Sequence, residues 1–254
     1  MTRLAELRAR HRGIDPRDVD LLLADALGRS VAWLFAHGDA GVDEHVIDDQ
    51  VRRRAAGEPL QYIRGRCDFY GREFLVDDRV LIPRPETELL VEQAVARAPR
   101  GARVVDVGTG SGCIAVTLAL ERPDLRVVAA DISAAALAVA RRNRDRLGAL
   151  VALVACDLLE AVNDVDLIVS NPPYIPAADI ATLQTEVRDH EPRSALTPGP
   201  RGTEVIDSLL SSGIPAIIEI GYGQYEALRG RVDDVVDDLA GIPRVVISSA
   251  HGRK

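Results

Sequence analysis

The chain has 254 residues, with 39 acidic and 31 basic side chains and a formal net charge of −8; such a field does not favour nonspecific attachment to a nucleic-acid backbone. Its three cysteines, Cys67, Cys113 and Cys156, are widely spaced and form no Cys-x-x-Cys pair, so neither a disulfide framework nor a metal site is expected. No segment is long and apolar enough to span a bilayer and no apolar signal core opens the chain, so a reducing cytoplasmic setting without membrane contact is expected.

Residues 1–66 are expected to form a small helical domain. Asp15-Pro16 supplies an N-cap followed by proline at the first helical position, and Val19, Leu22, Leu23 and Ala26 then share one face until Gly28 ends the helix. Ser30 can cap a short helix that ends near Gly38, and Asp43 can cap another running to Gly57. Residues 67–82 are expected to form a hairpin linker. Within it 69–76 make two short strands around a glycine turn, 77–79 the next turn, and Val80-Leu81-Ile82 a further short strand. Pro83-Arg84-Pro85-Glu86-Thr87-Glu88 then opens a helix through Leu89, Leu90, Ala94 and Val95.

From residue 83 to 254 the chain is expected to form one α/β domain. The strand candidates are 103–107, 127–131, 151–155, 166–170, 216–220 and 245–249. Helical segments fall between them near 112–121, 134–147, 203–212 and 223–231. Several strands are almost continuous apolar runs, as in parallel strands buried on both faces. The alternation is the βαβ signature of a doubly wound sheet.

Three strand ends in this domain carry the chemistry of a nucleotide site. The first leads through Gly108-Thr109-Gly110-Ser111-Gly112 straight into a helix, with G-x-G-x-G spacing rather than the G-x-G-x-x-G of dinucleotide binders. The second ends in Asp131, whose carboxylate can accept both ribose hydroxyls of an adenosine. The third is followed by Asp157 and Leu158, which can accept from an adenine amino group and cover its ring. Ligands of open α/β sheets bind at these carboxyl ends, so an adenosine cofactor across the first three strands is expected.

The fourth strand runs into Asn171-Pro172-Pro173-Tyr174. Two prolines stiffen the turn and hold the residues before them extended. The Asn171 carboxamide and the Pro172 carbonyl can each accept one hydrogen of a planar NH2 group, with the Tyr174 ring flat beside it. A nucleotide cofactor next to a nitrogen-orienting turn points to methyl transfer from S-adenosylmethionine.

At these motifs the chain resembles the release factor glutamine methyltransferase family. The resemblance extends to Gly57-Glu58-Pro59-Leu60-Gln61-Tyr62-Ile63-Arg64-Gly65, Phe69-Tyr70-Gly71, Leu81 through Glu88, Glu191-Pro192-Arg193-Ser194-Ala195-Leu196 and Glu219-Ile220-Gly221. It implies a helical N-terminal domain, a hairpin linker and a seven-stranded Rossmann-like class I methyltransferase domain. It further implies methylation of the glutamine amide in the Gly-Gly-Gln motif of class I peptide-chain release factors. Gly108 to Gly112, Asp131 and Asn171 would bind S-adenosylmethionine, Asp157 and Leu158 would lie near adenine, and Asn171 to Tyr174 would also hold the glutamine. The alternatives are a ribosomal-protein glutamine methyltransferase and an adenine N6 methyltransferase acting on nucleic acid. Leu158 stands where many members carry an aromatic.

Overall fold

Side-chain caps open the helices Pro16–Leu27, Val31–Ala36 and Ala134–Leu147 in the structure, a computed structural model that describes residues 1–11 and 13–249. It divides into two units: Met1–Gly65 with Thr185–His190, and Arg66–Gln184 with the chain from Glu191 onward.

In the first unit Asp15 Oδ1 accepts from Arg17 N at 2.8 Å, helix Pro16–Leu27 follows, and left-handed Gly28 stops it. Ser30 Oγ accepts from Trp33 N at 3.1 Å and opens Val31–Ala36. Asp43 does not cap the next helix. Its carboxylate turns onto His45 N at 3.0 Å, and the helix starts only at Asp48. A short carboxylate competes for nearby backbone N–H groups and here closes a local turn instead. Leu4, Leu7, Val19, Leu22, Leu23, Leu34 and Ile47 form the core of this unit. Residues 2–3 and 41–42 also pair as a minimal antiparallel ribbon, which the helical reading did not include. Helix Thr185–His190 joins the unit through Glu186, whose carboxylate lies 2.6 Å from Arg54 Nη1, while Arg54 Nε pairs with Asp18 at 2.6 Å.

The second unit is built on a sheet of β1 (Arg103–Val107), β2 (Arg126–Asp131), β3 (Val151–Ala155), β4 (Leu167–Ser170), β5 (Ala216–Glu219), β6 (Asp234–Asp237) and β7 (Pro243–Ser248). The strand order is β6-β7-β5-β4-β1-β2-β3. All neighbours are parallel except β7, which runs against both β5 and β6. Successive residues of the central strands enter opposite cores. Val104, Val127, Ala129 and Val169 face one side, and Val105, Val128, Ala130 and Ile168 face the other. That explains their unbroken apolar character. Strand β6 was not among the sequence candidates. It is an edge strand of two valines between two aspartates, too short and too polar to stand out.

Helices α1 (Thr87–Arg97), α2 (Cys113–Glu121), α3 (Ala134–Leu147) and α4 (Glu204–Ser211) belong to this unit. The segment expected to be helical over 223–231 is helical only over Tyr225–Leu228, because Arg229 is extended and Gly230 is left-handed. Strands Arg66–Phe69 and Arg72–Leu75 form the hairpin, with Tyr70 and Gly71 both at positive φ in its turn. Val80-Leu81-Ile82 is not a strand. Val80 and Ile82 are apolar because they are buried, at 1% and 3% exposure, and Pro83 follows directly.

Candidate active site

The glycine loop after β1 is held from beneath by two aspartates. Asp106, fully buried, accepts through Oδ2 from Thr109 Oγ1 at 2.6 Å and from Ala115 N at 3.2 Å. Its other oxygen has no hydrogen-bond partner among the described residues, and burial pushes its carboxyl up to about 7. Asp131 accepts from Gly110 N at 2.9 Å and from Ser133 N at 2.8 Å, so one carboxylate ties the loop to the end of β2. Burial raises its pKa, and the two N–H groups oppose that rise. Gly110 is left-handed, as is Gly112, whose added Cβ would meet Ala140 Cβ at 3.1 Å and Ala140 Cα at 3.2 Å. The loop and α3 approach too closely for any side chain at 112.

Asn143, fully buried in α3, is a further support that the sequence did not single out. Its Nδ2 donates to Ser111 O at 2.8 Å and to Leu75 O at 2.9 Å, and its Oδ1 accepts from Leu75 N at 2.7 Å. A lone asparagine in an arginine-rich helix gives no sequence signal for this role.

At the end of β4, Ser170 Oγ donates to Val107 O at 2.7 Å, which locks the strand against β1. Asn171 Nδ2 then donates to Thr87 Oγ1 at 3.0 Å. Tyr174 is half-buried, and burial pushes its phenol up to about 12. Its backbone and ring rest on two glycines. A Cβ on Gly202 would lie 2.5 Å from Tyr174 O, and one on Gly221 would lie 2.9 Å from the ring. Gln224 Nε2 donates to Tyr174 O at 3.0 Å and to Gly202 O at 3.1 Å, completing the cradle. Gly202→Ala is therefore expected to displace the turn. It adds a left-handed non-glycine residue to a backbone clash, a cost of about 2–4 kcal/mol in stability. Urea unfolding would read this, and a midpoint equal to wild type would contradict it.

These elements border one cavity of ≈ 300 Å³, within the range of small-molecule sites. Gly108, Thr109, Gly110, Ser111, Asp131, Asp157, Leu158, Asn171, Pro172 and Pro173 all line it. Gly112 lies beneath, packed on Ala140, and Tyr174 stands behind the lining. Asp157 is exposed, and Leu158 is held at positive φ. Thr87 and Arg84 also line the cavity; the sequence placed them in a motif but gave neither an individual role. Arg84 Nη2 pairs with buried Glu191 Oε1 at 2.6 Å. Among the described residues no cluster of His, Cys, Asp or Glu side chains is placed to hold a metal ion, and no helix is long and apolar enough to cross a membrane.

The site contains a second fully buried carboxyl, Glu219 at the end of β5, which burial pushes up to about 7. Ordinary aspartate and glutamate carboxyls titrate at 3.8 and 4.5. Across that window the folded protein holds protons that the unfolded chain releases. The stability these groups contribute is therefore full at acid pH and lost as pH rises through about 7, at up to ~1.4 kcal/mol per pH unit for each group. Asp106→Asn should flatten the decline of the melting temperature between pH 5.5 and 8; an unchanged decline would refute the assignment.

Residues 85–206 match the methyltransferase small domain family, and residues 4–65 match the PrmC N-terminal domain. Among solved structures, the catalytic domain of hMettl16 shares the fold, with a TM-score of 0.56 and 17% identity over 80% of this chain and 82% of that one. The fold and its matched domain are thus those of an α/β methyltransferase. The release factor glutamine methyltransferase of Koribacter versatilis is 44% identical over 92% of this chain and 90% of its own length. Its counterpart in Nitratidesulfovibrio vulgaris is 52% identical over 90% and 86%, and that of Bacillus subtilis 40% identical over 95% and 94%. The chain belongs to the release factor glutamine methyltransferase family.

Proposed function

We propose that the chain transfers a methyl group from S-adenosylmethionine to the side-chain amide nitrogen (N5) of the Gly-Gly-Gln glutamine in class I peptide-chain release factors. The observation that carries this reading is the Asn171 carboxamide. It sits on the wall of the same cavity as the glycine loop, with its NH2 already engaged by Thr87.

The residues present fit the cofactor. Gly108 and Gly110 leave open space where a Cβ would stand, as close approach of a ligand to backbone requires. The two bonds that Asp131 accepts leave lone pairs on both oxygens for a pair of ribose hydroxyls. Gly108 to Ser111 would border the amino-acid portion, and Asp157 and Leu158 the adenine. When bound, S-adenosylmethionine supplies an electrophilic methyl on sulfonium sulfur.

The amide nitrogen is a weak nucleophile because its lone pair is shared with its carbonyl. Asn171 Oδ1 and the Pro172 carbonyl each accept one of its hydrogens, which fixes the NH2 group and aims the lone pair across the cavity. The Pro172-Pro173 turn keeps these acceptors from rotating. Tyr174 stiffens the turn from behind. The same two acceptors stabilise positive charge as it builds on nitrogen, so orientation and preorganised dipoles supply the acceleration. The proton leaves nitrogen after the methyl arrives.

Labelled S-adenosylmethionine with a purified class I release factor tests the proposal. Label should appear on that protein, and none on a variant with the motif glutamine changed to alanine. Label on both would move the target residue, and label on neither would overturn the proposal.

A further inference from the structure

The function proposed above needs Oδ1 of Asn171, not Nδ2, to face the incoming nitrogen. A carboxamide is almost symmetric in shape, so packing alone does not choose between its two orientations; a hydrogen-bond partner must. That partner is Thr87 Oγ1, 3.0 Å from Asn171 Nδ2. A threonine hydroxyl can donate as well as accept, and a donating hydroxyl would favour the opposite orientation.

The sense of the hydroxyl is set one residue further back. The Glu219 carboxyl lies against Thr87, whose hydroxyl acts on it as a hydrogen-bond partner and lowers its pKa. Thr87 begins α1, which packs against β5, and Glu219 ends that strand. Both are buried, at 2% and 1% exposure. Burial raises the Glu219 carboxyl to about 7, with Thr87, Arg244 and Arg84 opposing the rise, so above pH 7 it is a carboxylate, which only accepts. The Thr87 proton is thereby committed to Glu219, and its oxygen lone pair to Asn171 Nδ2.

We propose that Thr87 and Glu219 are positioning residues: the buried carboxylate orients the hydroxyl, and the hydroxyl orients the Asn171 carboxamide so that Oδ1 is presented to the substrate nitrogen. This gives a task to the one acid of an otherwise apolar strand, Glu219 at the end of Ala216–Glu219, whose second carboxyl oxygen, Oε2, has no hydrogen-bond partner among the described residues. It rests on the glutamine-methylating reading for its catalytic consequence, but the relay itself can be observed without substrate.

The chain has three asparagines, Asn143, Asn163 and Asn171, so ¹⁵N-asparagine labelling gives three side-chain NH2 signals, with Asn171→Asp identifying its own. Thr87→Val keeps the shape and removes the hydroxyl. It is expected to shift the Asn171 NH2 signal and increase its exchange with water. It should also lower kcat about 10- to 100-fold while KM for the release factor and Kd for the cofactor stay within about threefold. Thr87→Ser should restore both the signal and the rate. Glu219→Gln keeps size and burial but can donate as well as accept. It should move the same signal and lower kcat by about 3- to 10-fold. An unmoved Asn171 signal, or wild-type kcat, in both Thr87→Val and Glu219→Gln would overturn the relay. If the wild-type protein labels no release factor, the proposed function fails while the Asn171 signal still decides the relay.

Discussion

Asn171→Ala is expected to lower methyl-transfer turnover by about 10²- to 10³-fold, the usual loss when one preorganised partner of a developing charge is deleted. The side chain makes a single described bond to the protein, Nδ2 to Thr87. Alanine therefore leaves little buried and unsatisfied, and the fold should survive. Without Oδ1, one hydrogen of the substrate amide has no acceptor, and the nitrogen can rotate away from the transfer axis. The Pro172 carbonyl remains because the backbone of the turn is unchanged, which bounds the loss. Cofactor affinity should change by less than about threefold, since the glycine loop and Asp131 are untouched. The distinguishing result is thus a collapse of kcat at nearly constant Kd. Turnover close to wild type would show that Asn171 does not orient the amide, and a parallel collapse of cofactor affinity would show that its contribution is structural.

The motifs that carry the site were legible in the sequence because each one breaks a local rule. Three glycines in five residues interrupt the passage from strand to helix, and two consecutive prolines end a buried strand. What stayed hidden was the support beneath them. Thr87 reaches Asn171 across 84 residues of sequence, and Asn143 reaches Ser111 across 32, while Glu219 acts on Thr87 from another element altogether. No local periodicity reports a contact of that kind. Glu219 stood in a recognised motif, yet only the packing of α1 on β5 gives its carboxyl a task. The expected strand at Val80-Leu81-Ile82 fails for a related reason: burial and strand pairing leave the same apolar trace in three residues. Asp43 shows the limit of capping signals, since a carboxylate that satisfies His45 N is not available to a helix several residues on.

Asp131→Ala is expected to weaken cofactor binding by about 30- to 100-fold, with kcat at saturating cofactor changed much less. The carboxylate has two tasks in the proposed complex. It accepts Gly110 N at 2.9 Å and Ser133 N at 2.8 Å, which holds the glycine loop beside β2, and its remaining lone pairs are the proposed acceptors for the ribose hydroxyls. Alanine removes both, so the loss should exceed that of one neutral hydrogen bond. Asp131→Asn separates the tasks. Each carboxylate oxygen faces a backbone N–H, so an amide NH2 must oppose either Gly110 or Ser133, donor against donor. The asparagine variant should therefore bind only slightly better than alanine despite its matching size. Glutamine amide orientation at Asn171 is untouched in either variant, so turnover should recover when cofactor is raised. Calorimetric titration of the three proteins gives the answer: an unchanged Kd in Asp131→Ala would remove Asp131 from the cofactor site, and full rescue by asparagine would leave shape, not charge and acceptor count, as its contribution.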